Sequence, residues 1–185
     1  MDETHPLVGD EPYAIHRTAC AGYYRAYARL YGLRTTVLRF SNPYGPHRSD
    51  QQFKGFGVLN HFGDLCLRGL PIRVFGDGRQ LRDGVFVDDV VEAVIAAALR
   101  TESDGTAINV GAGEGIALLD IARQVVDVAG QGTIEHVPWP REYSVFETGD
   151  FFLDISRARD LLGWRPQTPL RKGLELTVES YRRWV

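Results

Sequence analysis

Thr35-Thr36-Val37-Leu38-Arg39-Phe40-Ser41-Asn42-Pro43-Tyr44-Gly45-Pro46 decides how this chain folds. Its first six residues are β-branched or large and predict a largely buried strand. Asn42, Pro43, Gly45 and Pro46 then predict a turn-rich exit loop. Upstream, Cys20, Tyr23, Tyr24, Tyr27, Leu30 and Tyr31 recur at helical spacing, so a helix runs from Tyr13 to a stop at Gly32. Residues 1–12 read as loop, with Pro6, Gly9 and Pro12 as breakers.

Downstream the two periods alternate. A helix is expected over Phe56–Leu67, strands over Ile72–Phe75 and Leu81–Val87, and then a helix capped by Asp88 with Val91, Val94, Ile95 and Ala98 as its apolar stripe. Thr106–Val110 predicts a strand running into Gly111-Ala112-Gly113. Leu118, Ile121, Ala122, Val125, Val126 and Ala129 mark a helix closed by Gly130. Short strands are expected at Ile134–Val137 and Phe151–Asp154. A helix capped by Ser156 ends at Leu162-Gly163, and Leu170, Leu174, Val178 and Tyr181 stripe a last one. Strands alternating with helices indicate an α/β or α+β architecture.

A chain of 185 residues suits one domain, or one domain plus a piece of another. The net charge of -3 and the absence of a basic stripe argue against nucleic acid as partner. No apolar run approaches the ~20 residues of a membrane span. Cys20 and Cys66 form no CxxC pair and read as reduced thiols of a cytoplasmic protein. The five histidines lack metal-ligand spacing, so no metal is expected. The acidic, turn-like start is not a signal peptide, and it lacks the strand that opens a nucleotide-binding sheet. Trp139, Trp164 and Trp184 read as packing anchors.

Three constellations carry chemistry. In Tyr13-Ala14-Ile15-His16-Arg17 a phenol and a fixed cation share one helix face. A neighbouring cation favours a phenolate, which can exchange protons with a sugar hydroxyl. The second is Asn42 in its loop beyond a strand's carboxyl end, where ligands of open α/β sheets bind. The third is Gly76-Asp77-Gly78-Arg79-Gln80-Leu81-Arg82-Asp83 with Val87-Asp88-Asp89, in which Arg82 offers a fork that matches a diphosphate. Neither these glycines nor Gly111-Ala112-Gly113-Glu114-Gly115 has the GxGxxG spacing of a dinucleotide cradle.

Taken in order, these pieces resemble the extended short-chain dehydrogenase/reductase family, in the branch of NAD-dependent sugar-nucleotide epimerases and dehydratases. Tyr13-x-x-x-Arg17 is similar to its YxxxK, and residues 76–89 to its GDGxQxRDxxxVxD signature. Asn109-Val110-Gly111 resembles its NxG strand end. Asp154-Ile155-Ser156-Arg157-Ala158 and Leu162-Gly163-Trp164-Arg165-Pro166 resemble its closing elements. The resemblance implies the C-terminal portion of a Rossmann-like sheet plus a small α/β substrate-binding domain. Residues 1–50 would be the remnant of the NAD-binding domain and residues 51–185 the substrate domain.

It also implies roles. Tyr13 would be the acid/base, and Arg17 would contact the nicotinamide ribose of NAD. Phe40 would pack near the nicotinamide. Asn42, the backbone near Val58, and Arg82 would hold the nucleotide-diphosphate sugar. Arg141 and Glu147-Thr148-Gly149-Asp150 are looser candidates at the nucleotide. Arg17 stands where the family has lysine, and the glycine-rich half is missing from this sequence. The expected partners are therefore a separate N-terminal half or a second copy joined through the helix from Tyr13. A non-catalytic sugar-nucleotide-binding or assembly module is the alternative.

Overall fold

The computed structural model describes residues 1–8, 12–46, 57–140 and 149–183. Helix α1 (Pro12–Tyr31) leads into β1 (Val37–Phe40), β2 (Asn42–Tyr44) and α2 (Val58–Leu67). Then come β3 (Ile72–Phe75), β4 (Leu81–Arg82), β5 (Gly84–Phe86), α3 (Val87–Leu99), a 3-10 turn (Thr101–Ser103), β6 (Ala107–Val110) and β7 (Ile116–Ala117). The chain continues through α4 (Leu118–Ala129), β8 (Ile134–Val137), α5 (Ser156–Leu162) and α6 (Leu170–Arg182). The strands pair two by two: β1 with β6, β2 with β5 and β3 with β8 in parallel, and β4 with β7 antiparallel. The architecture is the expected mixed α/β one.

Two cores organise it. In the first, α2, α4 and α6 pack with β3 around Leu59, Phe62, Ile72, Ile121, Val125 and Leu174, each 3% exposed or less. The stripes read for α4 and α6 supply most of their buried residues. Gly130 closes α4 in the left-handed region at φ 69°, where a side chain would be strained. The second core gathers Val85, Ala93, Ile108, Val110, Ala158 and Trp164 from β5, α3, β6, α5 and the segment after it.

Asp89 staples the second core. This carboxylate is 2% exposed and accepts the backbone N–H groups of Gln167 and Thr168 at 2.9 and 3.1 Å. Its backbone carbonyl takes the Trp164 indole N–H at 2.9 Å. The segment leading to α6 is thereby tied to the start of α3.

Several local expectations give way. The stripe expected on α3 faces solvent: Val91, Val94 and Ile95 are exposed, and the buried face is Asp89, Ala93 and Ala97. Small alanines and a hydrogen-bonded carboxylate permit closer packing there than the bulkier residues would. Phe86 is the N-cap of α3 and no side chain caps it, so Asp88 lies inside the first turn. The strand expected to reach Val87 therefore ends at Phe86. Residues 151–154 form no strand; instead Phe151 donates to Leu81 O and Asp154 to Met1 O. Ser156 begins α5 rather than capping it, and its N–H bonds Asp154 Oδ1 at 2.8 Å. Residues 42–44, expected as turn, pair as β2, and the two-residue β7 has no periodic signal of its own. The expected start of α2 at Phe56, and Trp184, lie outside the described residues.

The β1–β6 side is organised differently. The outer side of β6 is covered by side chains. Asn109 N–H donates to Glu3 Oε1 at 2.8 Å, and Arg157 donates to Ala107 O at 3.0 Å. Among the described residues no strand pairs with the other side of β1. Helix α1 contains no buried residue, and Tyr23, Tyr24, Tyr27, Leu30 and Tyr31 are all exposed.

Candidate functional site

Asn42 and Arg82 meet through the residue between β4 and β5. Asn42 lies on β2 opposite Gly84 of β5. Its backbone N–H and side-chain Nδ2 both donate to the carbonyl of Asp83, at 3.1 and 2.9 Å. Arg82 precedes Asp83, and its Nη1 donates to the carbonyls of Leu81 and Gly149 at 2.8 and 2.7 Å. Asp150 Oδ1 accepts the Leu81 N–H at 2.9 Å, so residues 149 and 150 lie against β4. Arg141, Glu147 and Thr148 fall outside the described residues.

Asp83 is fully buried, and its carboxylate is satisfied from three directions. Oδ1 accepts Ser41 Oγ at 3.0 Å and Ala112 N at 2.6 Å, and Oδ2 accepts Leu153 N at 3.0 Å. Such charge-assisted bonds are each worth about 1.5–3 kcal/mol. Gly111 presses against the same group, since an added Cβ would come within 2.5 Å of Oδ2. The turn after β6 is therefore organised around a carboxylate of the chain itself. Its Ala112 N–H is already engaged, which disqualifies it as a cradle for a dinucleotide pyrophosphate. In sequence Asp83 is an acid inside the single strand expected over Leu81–Val87.

Tyr13 and Arg17 share a face of α1 near its start. The guanidinium carbon lies 5.1 Å from the Tyr13 ring centroid, a cation–π distance. Tyr13 is 64% exposed, and Phe40, at the end of β1, is exposed as well. Val58 is the first residue of α2, after Gly57 at φ 67°, and a first-turn N–H has no acceptor within its own helix. Behind β2, burial and then the Asp89 charge push the Tyr44 phenol well above its ordinary range. It stays a neutral donor, to Leu170 O at 3.2 Å. Burial lowers the Arg39 guanidinium; Glu3 opposes this, and Arg25 and Arg157 add to it.

A surface groove of about 590 Å³ lies elsewhere, between the Gly76–Arg79 turn and the start of α4. Tyr13, Asn42 and Arg82 do not line it. Its arginines are matched by acids, Arg79 with Asp77 and Arg123 with Asp120. Among the described residues no group of three or more His, Cys, Asp or Glu could hold a metal ion. No described helix is long and apolar enough to cross a membrane. Gln80 Nε2, two residues before Arg82, is buried without a hydrogen-bond acceptor.

Comparison with known proteins identifies the family and the fold. Residues 1–111 match the model of the NAD dependent epimerase/dehydratase family. The chain is 34% identical over 181 residues to a putative UDP-glucose 4-epimerase of Methanocaldococcus jannaschii, covering 96% of this chain and 55% of that protein. It is 29% identical to a dTDP-glucose 4,6-dehydratase of Xanthomonas campestris, covering 99% of this chain and 53% of that one. The fold superposes on UDP-glucose 4-epimerase of Thermotoga maritima, solved with UDP-glucose, at a TM-score of 0.89 and 33% identity, over 100% of this chain and 57% of that one. The Thermus thermophilus UDP-glucose 4-epimerase, solved with NAD, matches at 0.81 and 31% identity, over 100% of this chain and 58% of that one. The chain thus spans about half the length of the relatives it matches. With its parallel-stranded α/β fold and its ordered motifs, this chain belongs to the NAD-dependent epimerase/dehydratase family.

Proposed function

We propose that the chain supplies the sugar-nucleotide site and the acid/base tyrosine for epimerisation or dehydration of a nucleotide-diphosphate sugar through a transient keto sugar. The observation that supports this most is the bonding of Asn42 to Asp83, the residue next to Arg82, in a chain related to UDP-glucose 4-epimerases. Residues 51–185 form the substrate part, and residues 1–50 continue a dinucleotide-binding sheet. Arg82 grips the diphosphate with its planar fork, and Asn42 and the Val58 N–H hold the sugar nucleotide. Tyr13 accepts the proton of the sugar hydroxyl as the ring carbon is oxidised.

NAD, when bound, supplies the hydride acceptor and donor. Its nicotinamide end fits Tyr13, Arg17 and Phe40, whereas the glycine turn after β6, at Gly111, is taken up by Asp83. The pyrophosphate falls to a glycine-rich N-terminal half that residues 1–185 do not include. The open side of β1 and the uncovered face of α1 support such an addition, or a homodimer through α1. The same uncovered face supports a second reading, a non-catalytic module that binds the sugar nucleotide and assembles through α1. A cytoplasmic setting suits the free thiols Cys20 and Cys66.

Calorimetric titration of the chain with UDP-glucose and with NAD tests the proposal. UDP-glucose binding is expected, without NAD binding. Arg82→Ala should weaken UDP-glucose by about tenfold or more, the loss of roughly 1.4 kcal/mol, and Tyr13→Phe should leave it nearly unchanged. Equal effects of the two substitutions would count against the assigned roles. Tight NAD binding by the chain alone would defeat the division of labour. Turnover on adding the dinucleotide-binding half of a relative separates the half-enzyme from the non-catalytic module.

A further inference from the structure

We infer that Asp83 is a positioning residue, whose buried carboxylate fixes the ligand-facing geometry of Asn42 and Arg82; this rests on the sugar-nucleotide reading of the site. Four segments distant in sequence meet at this one residue. Its carbonyl takes both N–H donors of Asn42, and its Oδ1 takes the hydroxyl of Ser41, the residue before. The same oxygen takes Ala112 N–H at the end of β6, and Oδ2 takes Leu153 N–H. Leu153 belongs to the run that begins at Gly149, whose carbonyl receives Arg82 Nη1. Asp150 and Phe151 bond Leu81 on the other side of Arg82. The guanidinium is therefore anchored to a segment that Asp83 itself holds against β4. One carboxylate so determines where an amide on β2 and a guanidinium on β4 lie relative to each other.

Three donors converge on two oxygens, and a carboxylate offers both of them as acceptors. An amide of the same shape keeps one acceptor and turns an NH2 toward either the Leu153 N–H or the Ser41–Ala112 pair. Donor then meets donor in a site with no exposure, and the segments must part. Gly111 leaves no space for the segments to close by another route. Arg82 and Asn42 remain in the sequence of such a variant, but their spacing is lost.

The test is a double-mutant cycle in the full chain, read as the dissociation constant for UDP-glucose alongside the thermal midpoint. Asp83→Asn is expected to weaken UDP-glucose by about tenfold, the scale of one unsatisfied buried donor. Added to Arg82→Ala, it should produce clearly less than its own full loss, because only its hold on Asn42 then remains to be lost. A purely structural role predicts additive losses, or a lowered midpoint with unchanged affinity, and either result overturns the inference while leaving the site assignment standing. Should Asp83→Asn not fold, Ser41→Ala removes one donor to the same carboxylate. It is expected to weaken UDP-glucose about threefold, again with less than an additive loss beside Arg82→Ala; unchanged affinity overturns the inference. Failure of the unmodified chain to bind UDP-glucose removes the site assignment, and the inference with it.

Discussion

Helices α4 and α1 carry the same kind of message in sequence and meet opposite ends. Both show apolar residues at helical spacing, and in α4 those residues become core, with Ile121 at 1% exposure and Ala122 and Val125 at 0%. In α1 none is buried, and Leu30 stands 65% exposed. Periodicity states that a helix has a face to cover, but not which surface covers it. For α4 the cover is α2, α6 and β3 of this chain. For α1 it is absent from the fold described, as it is for the outward Val91, Val94 and Ile95 of α3. An exposed apolar face of this kind is physically suited to association.

The contrast can be broken by substitution. Ile121→Ala should have the largest effect, about 2–5 kcal/mol of lost stability by urea unfolding, because it leaves a cavity in a close-packed layer. Leu30→Ala should stay within about 0.5 kcal/mol in the same experiment. A loss comparable to that at Ile121 would show that α1 is covered in solution, and dependence of that loss on protein concentration would identify a second copy as the cover.

The smallest effect concerns acid. Hydrogen bonds from Ser156, first its hydroxyl and then its backbone N–H, hold the exposed Asp154 carboxyl below its ordinary value. A carboxyl lowered in the folded state adds stability above its unfolded pKa, and that stability fades as pH falls through the folded value. The start of α5 should therefore loosen below about pH 4, and Asp154→Asn should remove that part of the acid sensitivity. Amide exchange at the start of α5, followed from neutral pH downward, checks this; no difference between the two proteins would reject it.

Much of the fold was legible because strong local signals matched tertiary demand. Ile72–Phe75 and Ile134–Val137 are the strands expected, and Gly130 ends α4 where a left-handed residue is needed. The failures have physical causes. On α3 the larger residues suggested the buried face, yet close packing selected Ala93 and Ala97. β2 and β7 are fixed by partners, Gly84–Phe86 and Leu81–Arg82, and not by their own two or three residues. At the site, Asn42 and Arg82 could be chosen from the family resemblance and their residue chemistry. The part played by Asp83 could not, because its acceptors serve Ala112 and Leu153, which only the folded chain brings near. A hydrogen bond to a distant backbone leaves no periodic trace.

The parallel ladders have a kinetic consequence. Val37 waits for Ala107, and Ile72 waits for Ile134, so neither ladder can close until a long intervening stretch has been synthesised. Parallel pairing across such loops is slow, and it exposes unpaired strand edges meanwhile. Within these residues α1 and β1 are made well before the strand that β1 pairs with, so that ladder closes late.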